Sequence, residues 1–237
     1  MLNQTEIEQL AKSLFTNLKV MNLFKKTDFH ERYGNQIVRN HLQLNNLIRR
    51  FEIGEYHLEN YLEWNNAYIP TMPMRKIDYI IELTTLFTNH GLATYESLKR
   101  FFLETLDLEK LNEITKEKIH STSTWGSLSR AISKIPCVNQ KVITDLFDVD
   151  FRNALAHDTW YFEDISMKYL DMKGNVVTVP FKVLVPKIHT IFGFYNFTTN
   201  DYFEEYVPEL IEQYTKMEEK MNKDIPIFEP TPHDKNS

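Results

Sequence analysis

Apolar side chains recur every three or four residues along most of the chain, the spacing that places them on one face of a helix. Thr5 and Glu8 have the spacing of a capping box at the start of the first such segment. Gly91 is expected to stop one helix, and Pro136 to break another that Thr124 caps. The pattern predicts helices over residues 5–24, 28–52, 57–68, 75–89, 94–106, 108–119, 124–132, 139–157, 181–197 and 208–223.

The apolar period changes to two after the helix predicted for 139–157. Two groups of β-forming residues flank the turn-forming tripeptide Lys173-Gly174-Asn175, and they run from Trp160 to Tyr169 and from Val176 to Val179. Alternating apolar residues on both sides of a glycine-containing turn are typical of a β-hairpin. We therefore predict a two-stranded hairpin over residues 160–180 that lies against the helices, since an isolated hairpin is barely stable in water.

The prolines divide the chain into three parts. Pro70 and Pro73 close the aromatic-rich segment before them and mark the best candidate boundary. The pattern predicts an N-terminal helical extension over residues 1–70, a helical domain with the hairpin over residues 71–224, and a flexible tail over residues 225–237. The fold class is therefore mainly α.

Composition agrees with a packed helical protein. Of the 237 residues, 42% are hydrophobic, and the six glycines and nine prolines favour helices over a many-turned β architecture. Cys137 is the single cysteine, which excludes an intramolecular disulfide and a cysteine-rich metal site. The N-terminus shows no secretory pattern and the chain has no stretch of membrane-spanning length, so a soluble cytoplasmic protein without a membrane partner is expected.

Charge is unevenly distributed along the sequence. The formal net charge of −6 argues mildly against a tight nonspecific binder of nucleic acid. Residues 25–50 are mainly basic and residues 201–224 mainly acidic, which either creates a polarised surface or reflects ordinary solvated helix faces. An aromatic group in the N-terminal extension either stacks on bases or belongs to the core: Tyr56, Tyr61, Trp64 and Tyr68.

The segment Asp148–His157 carries the residues that most resemble a chemical site. Arg152, Asn153 and His157 stand among apolar residues, where polar groups cost free energy unless they are paired or serve a site. Asn153 and His157 share a helix face, whereas Arg152 lies roughly 140° around from His157. Arg152 must therefore reach across, or the helix must unwind at His157, or a second copy must supply the missing partner.

This segment resembles the Arg-polar-xxx-His signature of HEPN domains, helical domains of prokaryotic toxins, phage-defence proteins and RNA-processing nucleases. The match is Arg152-Asn153-Ala154-Leu155-Ala156-His157, preceded by a helix start over residues 124–132 and followed by the hairpin, so that the resemblance covers roughly residues 72 to 200. It implies a HEPN-like helical bundle with a small β-hairpin after the signature helix and an N-terminal helical extension.

The resemblance also implies an activity. It predicts a metal-independent endoribonuclease that acts as a homodimer without a cofactor, in the role of a toxin or a phage-defence effector with an antitoxin or regulatory partner. Arg152 is expected to bind the scissile phosphate of the RNA, His157 to act as base or acid, and Asn153 to orient the pair or the RNA. The other histidines have no recognisable metal-binding spacing.

Three other interpretations remain open on the sequence. A HEPN module without catalysis would bind RNA, a nucleotide or a protein partner through the same face. A helical interaction protein would carry the hexapeptide by coincidence. In purely structural terms, Arg152 and His157 suit the C-terminal dipole of their helix, and Arg152 has the spacing for a salt bridge with Asp148.

Overall fold

The computed structural model describes residues 3–29, 31–33, 73–136, 140–163, 166–209, 212 and 215–216, with the backbone alone for residues 73–84, 86–87 and 181–182. The helices are α1 (Gln4–Val20), α2 (Pro73–Thr105), α3 (Leu108–Thr115), α4 (Trp125–Ser133), α5 (Gln140–Leu146), α6 (Val149–Ala156) and α7 (Phe181–Tyr206). The strands are β1 (Trp160–Glu163), β2 (Ser166–Leu170) and β3 (Val176–Pro180). A mainly α fold with a small antiparallel sheet is thus confirmed.

Helix α1 begins one residue earlier than predicted, and its N-cap lies two residues earlier, at Asn3 instead of Thr5. Its capping box is formed by Asn3 and Glu6: the Glu6 backbone N–H donates to Asn3 Oδ1 at 2.9 Å, and the Asn3 N–H donates to Glu6 at 2.7 Å. The predicted Thr5–Glu8 box is wrong, because Asn is a stronger cap than Thr and the earlier start lengthens the helix. The buried face of α1 packs against α7.

Helix α2 runs through Gly91, which was expected to stop it. The glycine lies where α2 crosses α7 and α6, and a Cβ built on it would lie 3.2 Å from Cγ1 of Ile188 and 3.4 Å from Cδ1 of Leu155. Gly91 therefore permits close packing of the helices. Thr94, the first residue of the helix predicted for 94–106, donates its hydroxyl to the His90 carbonyl inside α2 at 2.8 Å.

We expect Gly91→Leu to lower the free energy of unfolding by about 1–3 kcal/mol, because the added side chain overpacks the crossing. Urea unfolding followed by circular dichroism measures this change. Gly126→Ala is the matched control: its new Cβ would lie 3.5 Å from Val149 Cγ1, an ordinary contact, and helix propensity favours alanine. An unchanged or raised urea midpoint for Gly91→Leu contradicts the close packing.

The sheet is an antiparallel meander in the order β1-β2-β3. Tyr169 in the middle strand lies opposite Trp160 and Val177, and the buried Met167, Tyr169 and Val179 form its inner face. The predicted hairpin is confirmed around its turn, where β2 pairs with β3, but its first strand is wrong, since residues 160–169 divide into two strands that pair with each other. The predicted turn is present, with Gly174 at φ +81°, a conformation that favours glycine.

Residues after α1 are tied to the end of α2. The Lys25 N–H donates to the Thr105 carbonyl at 2.9 Å, and the Asp107 N–H donates to the Leu23 carbonyl at 2.7 Å. The Tyr202 hydroxyl of α7 donates to the Lys25 carbonyl at 2.9 Å. The first helix and the residues that follow it therefore share one hydrophobic core with α2 and α7.

Several sequence predictions fall on residues outside the described ranges. They include most of the helix predicted for 28–52, the aromatic group over residues 56–68, Cys137 and the tail 225–237. Of the helix predicted for 208–223, residues 208–209, 212 and 215–216 are described and are helical. The division at residue 70 stays a prediction. Among the described helices, none combines the length and apolar composition needed to cross a bilayer.

A partly buried carboxylate at the α1–α7 contact is expected to make stability depend on pH. Asp201 Oδ2 is buried and makes no hydrogen bond in the described structure. Burial raises the pKa of Asp201 above its ordinary value of 3.8, Lys12 opposes this rise, and Glu204 and Glu8 add to it. Because the folded state holds the proton more tightly than the unfolded state, ionised Asp201 destabilises the fold as pH rises through its folded pKa.

We therefore expect Asp201→Asn to raise the urea midpoint at neutral pH and to lose this advantage below the ordinary carboxyl pKa. Urea unfolding at a series of pH values measures the difference between the variant and the parent. Glu205→Gln is the control, since Glu205 forms an exposed ion pair with Lys19 at 2.7 Å and such pairs contribute little. A difference that does not change with pH contradicts the assignment.

Candidate functional site

The helix predicted for residues 139–157 is interrupted at Phe147 and Asp148. The interruption is stabilised by two buried donors: the Tyr95 hydroxyl donates to the Leu146 carbonyl at 3.2 Å, and Trp125 Nε1 donates to the Phe147 carbonyl at 2.7 Å. Burial and the charge of Asp148 raise the pKa of Tyr95 well above its ordinary value, so its hydroxyl remains a donor. The continuous helix was a wrong prediction, because donors from distant residues replace the helical hydrogen bonds.

Asp148 is the N-cap of α6, the helix that follows the interruption. Its Oδ1 accepts from the Phe151 N–H at 2.9 Å, and its Oδ2 accepts from Lys187 Nζ of α7 at 2.6 Å. Lys187 Nζ also lies 5.0 Å from the centroid of the Phe151 ring. The predicted Asp148–Arg152 salt bridge is therefore wrong: the carboxylate that a sequence pattern assigned to Arg152 pairs with Lys187 instead.

Arg152 joins α6 to α2. Its side chain is 15% exposed, and its Nη2 contacts Oε1 of Glu96 in an ion pair. Its Nη1 donates to Asn153 Oδ1 at 3.1 Å, whereas its buried Nε has no hydrogen-bond partner in the described structure. Arg152 thus contacts its neighbour Asn153 and an acidic partner that the sequence did not indicate.

His157 is the C-cap of α6 and is exposed. Its backbone N–H donates to the Asn153 carbonyl at 3.0 Å. Helical geometry ends there, since His157 has φ −107° and ψ 6° and Asp158 follows with φ +53°. Of the three geometries considered for the hexapeptide, the structure shows the one in which the helix ends at His157. The Arg152 side chain pairs with Glu96.

The partly exposed face of α6 continues onto the sheet. Asp150, Asn153 and His157 are spaced three and four residues apart and share this face. Asp150 Oδ1 accepts from the Met172 N–H in the β2–β3 turn at 3.2 Å. Apolar side chains are exposed in and beside that turn: Leu170, Met172 and Val176. Polar and apolar groups are therefore adjacent on this part of the surface.

Sequence reasoning missed Glu96 and its neighbour Lys99. Lys99 Nζ lies 3.8 Å from Glu96 Oε2, so the carboxylate contacts a cation at each oxygen. Glu96 precedes Arg152 by 56 residues and lies in a helix with several other polar residues. A local motif search gives no signal for such a pair because the contact depends on how α2 and α6 cross.

Other features of the described chain do not extend this site. No group of three or more His, Cys, Asp or Glu residues in the described ranges is arranged to hold a metal ion. A cavity of about 390 Å³ lies between α1 and α7, where Ile7, Pro186 and Phe197 contribute to its wall, and its lining does not include Arg152, Asn153 or His157.

No family model, curated protein or solved structure matches this chain.

Proposed function

We propose that the protein is a metal-independent endoribonuclease of the HEPN type, with Arg152, Asn153 and His157 as its site. The observation that carries the proposal is the grouping of these residues in α6, where Arg152 donates to Asn153 and His157 is exposed at the helix end. An arginine offers a planar cation that suits phosphate oxygens, and a histidine transfers protons near neutral pH.

The reaction requires a base, an acid and stabilisation of charge on phosphorus. A base removes the proton of the ribose 2′-hydroxyl while its oxygen forms a bond to phosphorus. The bond from phosphorus to the 5′-oxygen breaks, and an acid protonates the leaving oxygen. In the proposed site His157 transfers these protons, Arg152 stabilises the phosphorane and Asn153 orients Arg152. The products are a 2′,3′-cyclic phosphate and a free 5′-hydroxyl.

We propose a homodimer because one protomer supplies one His157, whereas the reaction uses a base and an acid. Two copies that meet through the Asp150–Asn153–His157 face of α6 supply both groups. The exposed Leu170 and Met172 beside this face would then be covered by the second copy, which favours association through burial of apolar surface. A toxin or phage-defence role in the cytosol, with an antitoxin or regulatory partner, belongs to the same proposal.

A second candidate function is a silent HEPN module that binds RNA, a nucleotide or a protein partner. The ion pair between Arg152 and Glu96 favours it, because a paired guanidinium attracts phosphate less strongly than a free one.

The test is to incubate the purified protein with mixed RNAs in excess chelator and to determine the ends of any fragments. Cleavage that yields cyclic phosphates, spares 2′-O-methyl RNA and is lost in Arg152→Ala supports the nuclease. Arg130→Ala is the matched control, since Arg130 is 64% exposed on α4. Intact RNA, or equal cleavage by Arg152→Ala, would reject the catalytic assignment, and sedimentation of a monomer would reject the dimer.

A further inference from the structure

Glu96 lies at the centre of a short series of charged contacts that ends at α6. One oxygen contacts Arg152, which is mostly buried, and the other lies 3.8 Å from Lys99. Arg152 in turn donates to the side-chain oxygen of Asn153. Glu96 thus contacts Arg152 directly and Asn153 through Arg152, and His157 follows at the end of the same helix.

The charges in this series do not cancel. Arg152 and Lys99 carry two positive charges against the single negative charge of Glu96, so the group retains one net positive charge. A partly buried arginine whose Nε has no partner would be costly without a counter-charge. Glu96 provides that counter-charge, and it occupies the Nη2 position from which Arg152 would contact a phosphate oxygen.

We propose that Glu96 is a positioning residue of the site, which holds Arg152 against α2 and competes with an RNA phosphate for its guanidinium. The inference rests on the proposed function, because it takes RNA as the anion. The amide oxygen of a glutamine still accepts from Nη2, whereas alanine removes both the charge and the acceptor. Glu96→Gln therefore tests the competition with phosphate for the guanidinium, whereas Glu96→Ala also tests the positioning of Arg152.

The first measurement is equilibrium binding of a fluorescein-labelled 2′-O-methyl RNA, which cannot be cleaved because its 2′-oxygen is blocked. At fixed low salt, Glu96→Gln is expected to tighten binding about three- to tenfold in the parent and to have a smaller effect in Arg152→Ala, since contacting residues are coupled. Glu109→Gln controls for the change in net charge, because Glu109 is exposed on α3. Thermal unfolding of each variant checks the fold.

The second measurement is cleavage of unmodified RNA. Glu96→Gln is expected to retain kcat and lower KM, whereas Glu96→Ala loses kcat because Arg152 is no longer held. If Glu96 had only a structural role, its substitutions would change the fraction of folded protein, and Glu96→Gln and Glu96→Ala would not differ in kcat and KM in this way.

The outcomes separate the two proposals. Equal effects of Glu96→Gln with and without Arg152 overturn the role of Glu96, even if the parent cleaves RNA. A parent that binds with the expected coupling but leaves RNA intact rejects the nuclease and supports the competition between Glu96 and RNA. Failure of every variant to bind RNA overturns both.

Discussion

His157→Ala is expected to lower the rate constant of RNA cleavage by about 10²- to 10⁴-fold, the usual contribution of a positioned acid–base group. The loss should arise from chemistry because the side chain is exposed and the cap it forms uses its backbone N–H. Alanine retains that N–H. Single-turnover cleavage in excess protein measures the rate constant without a contribution from product release.

His120→Ala is the matched control, since His120 is an exposed histidine between α3 and α4. It should cleave RNA at the parental rate. The urea midpoint of His157→Ala should also stay near that of the parent. A parental rate for His157→Ala would contradict its catalytic role, and an equal loss in the two variants would show that the loss is not specific to position 157.

Trp125→Ala is expected to lower the free energy of unfolding by about 3–5 kcal/mol, the usual cost of removing a buried aromatic ring. Trp125 is 1% exposed, and its ring centroid lies 5.0 Å from that of Phe147 and 5.4 Å from that of Tyr95. The substitution also leaves the Phe147 carbonyl without its Nε1 donor. Urea unfolding followed by circular dichroism gives the free energy.

Trp125→Phe separates packing from hydrogen bonding. It retains a ring but removes the donor, and we expect a loss of about 1–3 kcal/mol, the cost of an unsatisfied buried acceptor together with lost ring area. Tyr161→Ala is the control, since Tyr161 is 54% exposed on β1 and should change stability little. A Trp125→Ala variant as stable as the parent would contradict a structural role for the donor at the α5–α6 interruption.

The parts of the fold that follow from local chemistry could be predicted from the sequence. Thr124 caps α4 by accepting from the Ser127 N–H at 3.3 Å, and Gly174 occupies the predicted turn. The hexapeptide also indicated that the helix ends at His157. In each case the determining residues lie within a few positions of one another, so the sequence pattern contains the physical cause.

The remaining features depend on contacts between distant residues. The sequence pattern predicts a helix stop at Gly91, whereas in the fold Ile188 packs against this glycine. The interruption before α6 depends on donors from Tyr95 and Trp125. The partner of Arg152 was misassigned to Asp148 for the same reason. A helix-spacing rule identifies residues on one surface, whereas Glu96 approaches from another helix.

Tyr95 and Glu96 are consecutive residues of α2, yet their side chains contact different parts of the segment that contains α5 and α6. Tyr95 holds the carbonyl before α6, Glu96 holds an arginine near the middle of α6, and Gly91 sets how closely the helices approach. One inserted residue between Gly91 and Tyr95 would turn both side chains by about 100° relative to that crossing. The length of this stretch is therefore more tightly constrained than the identity of its exposed residues.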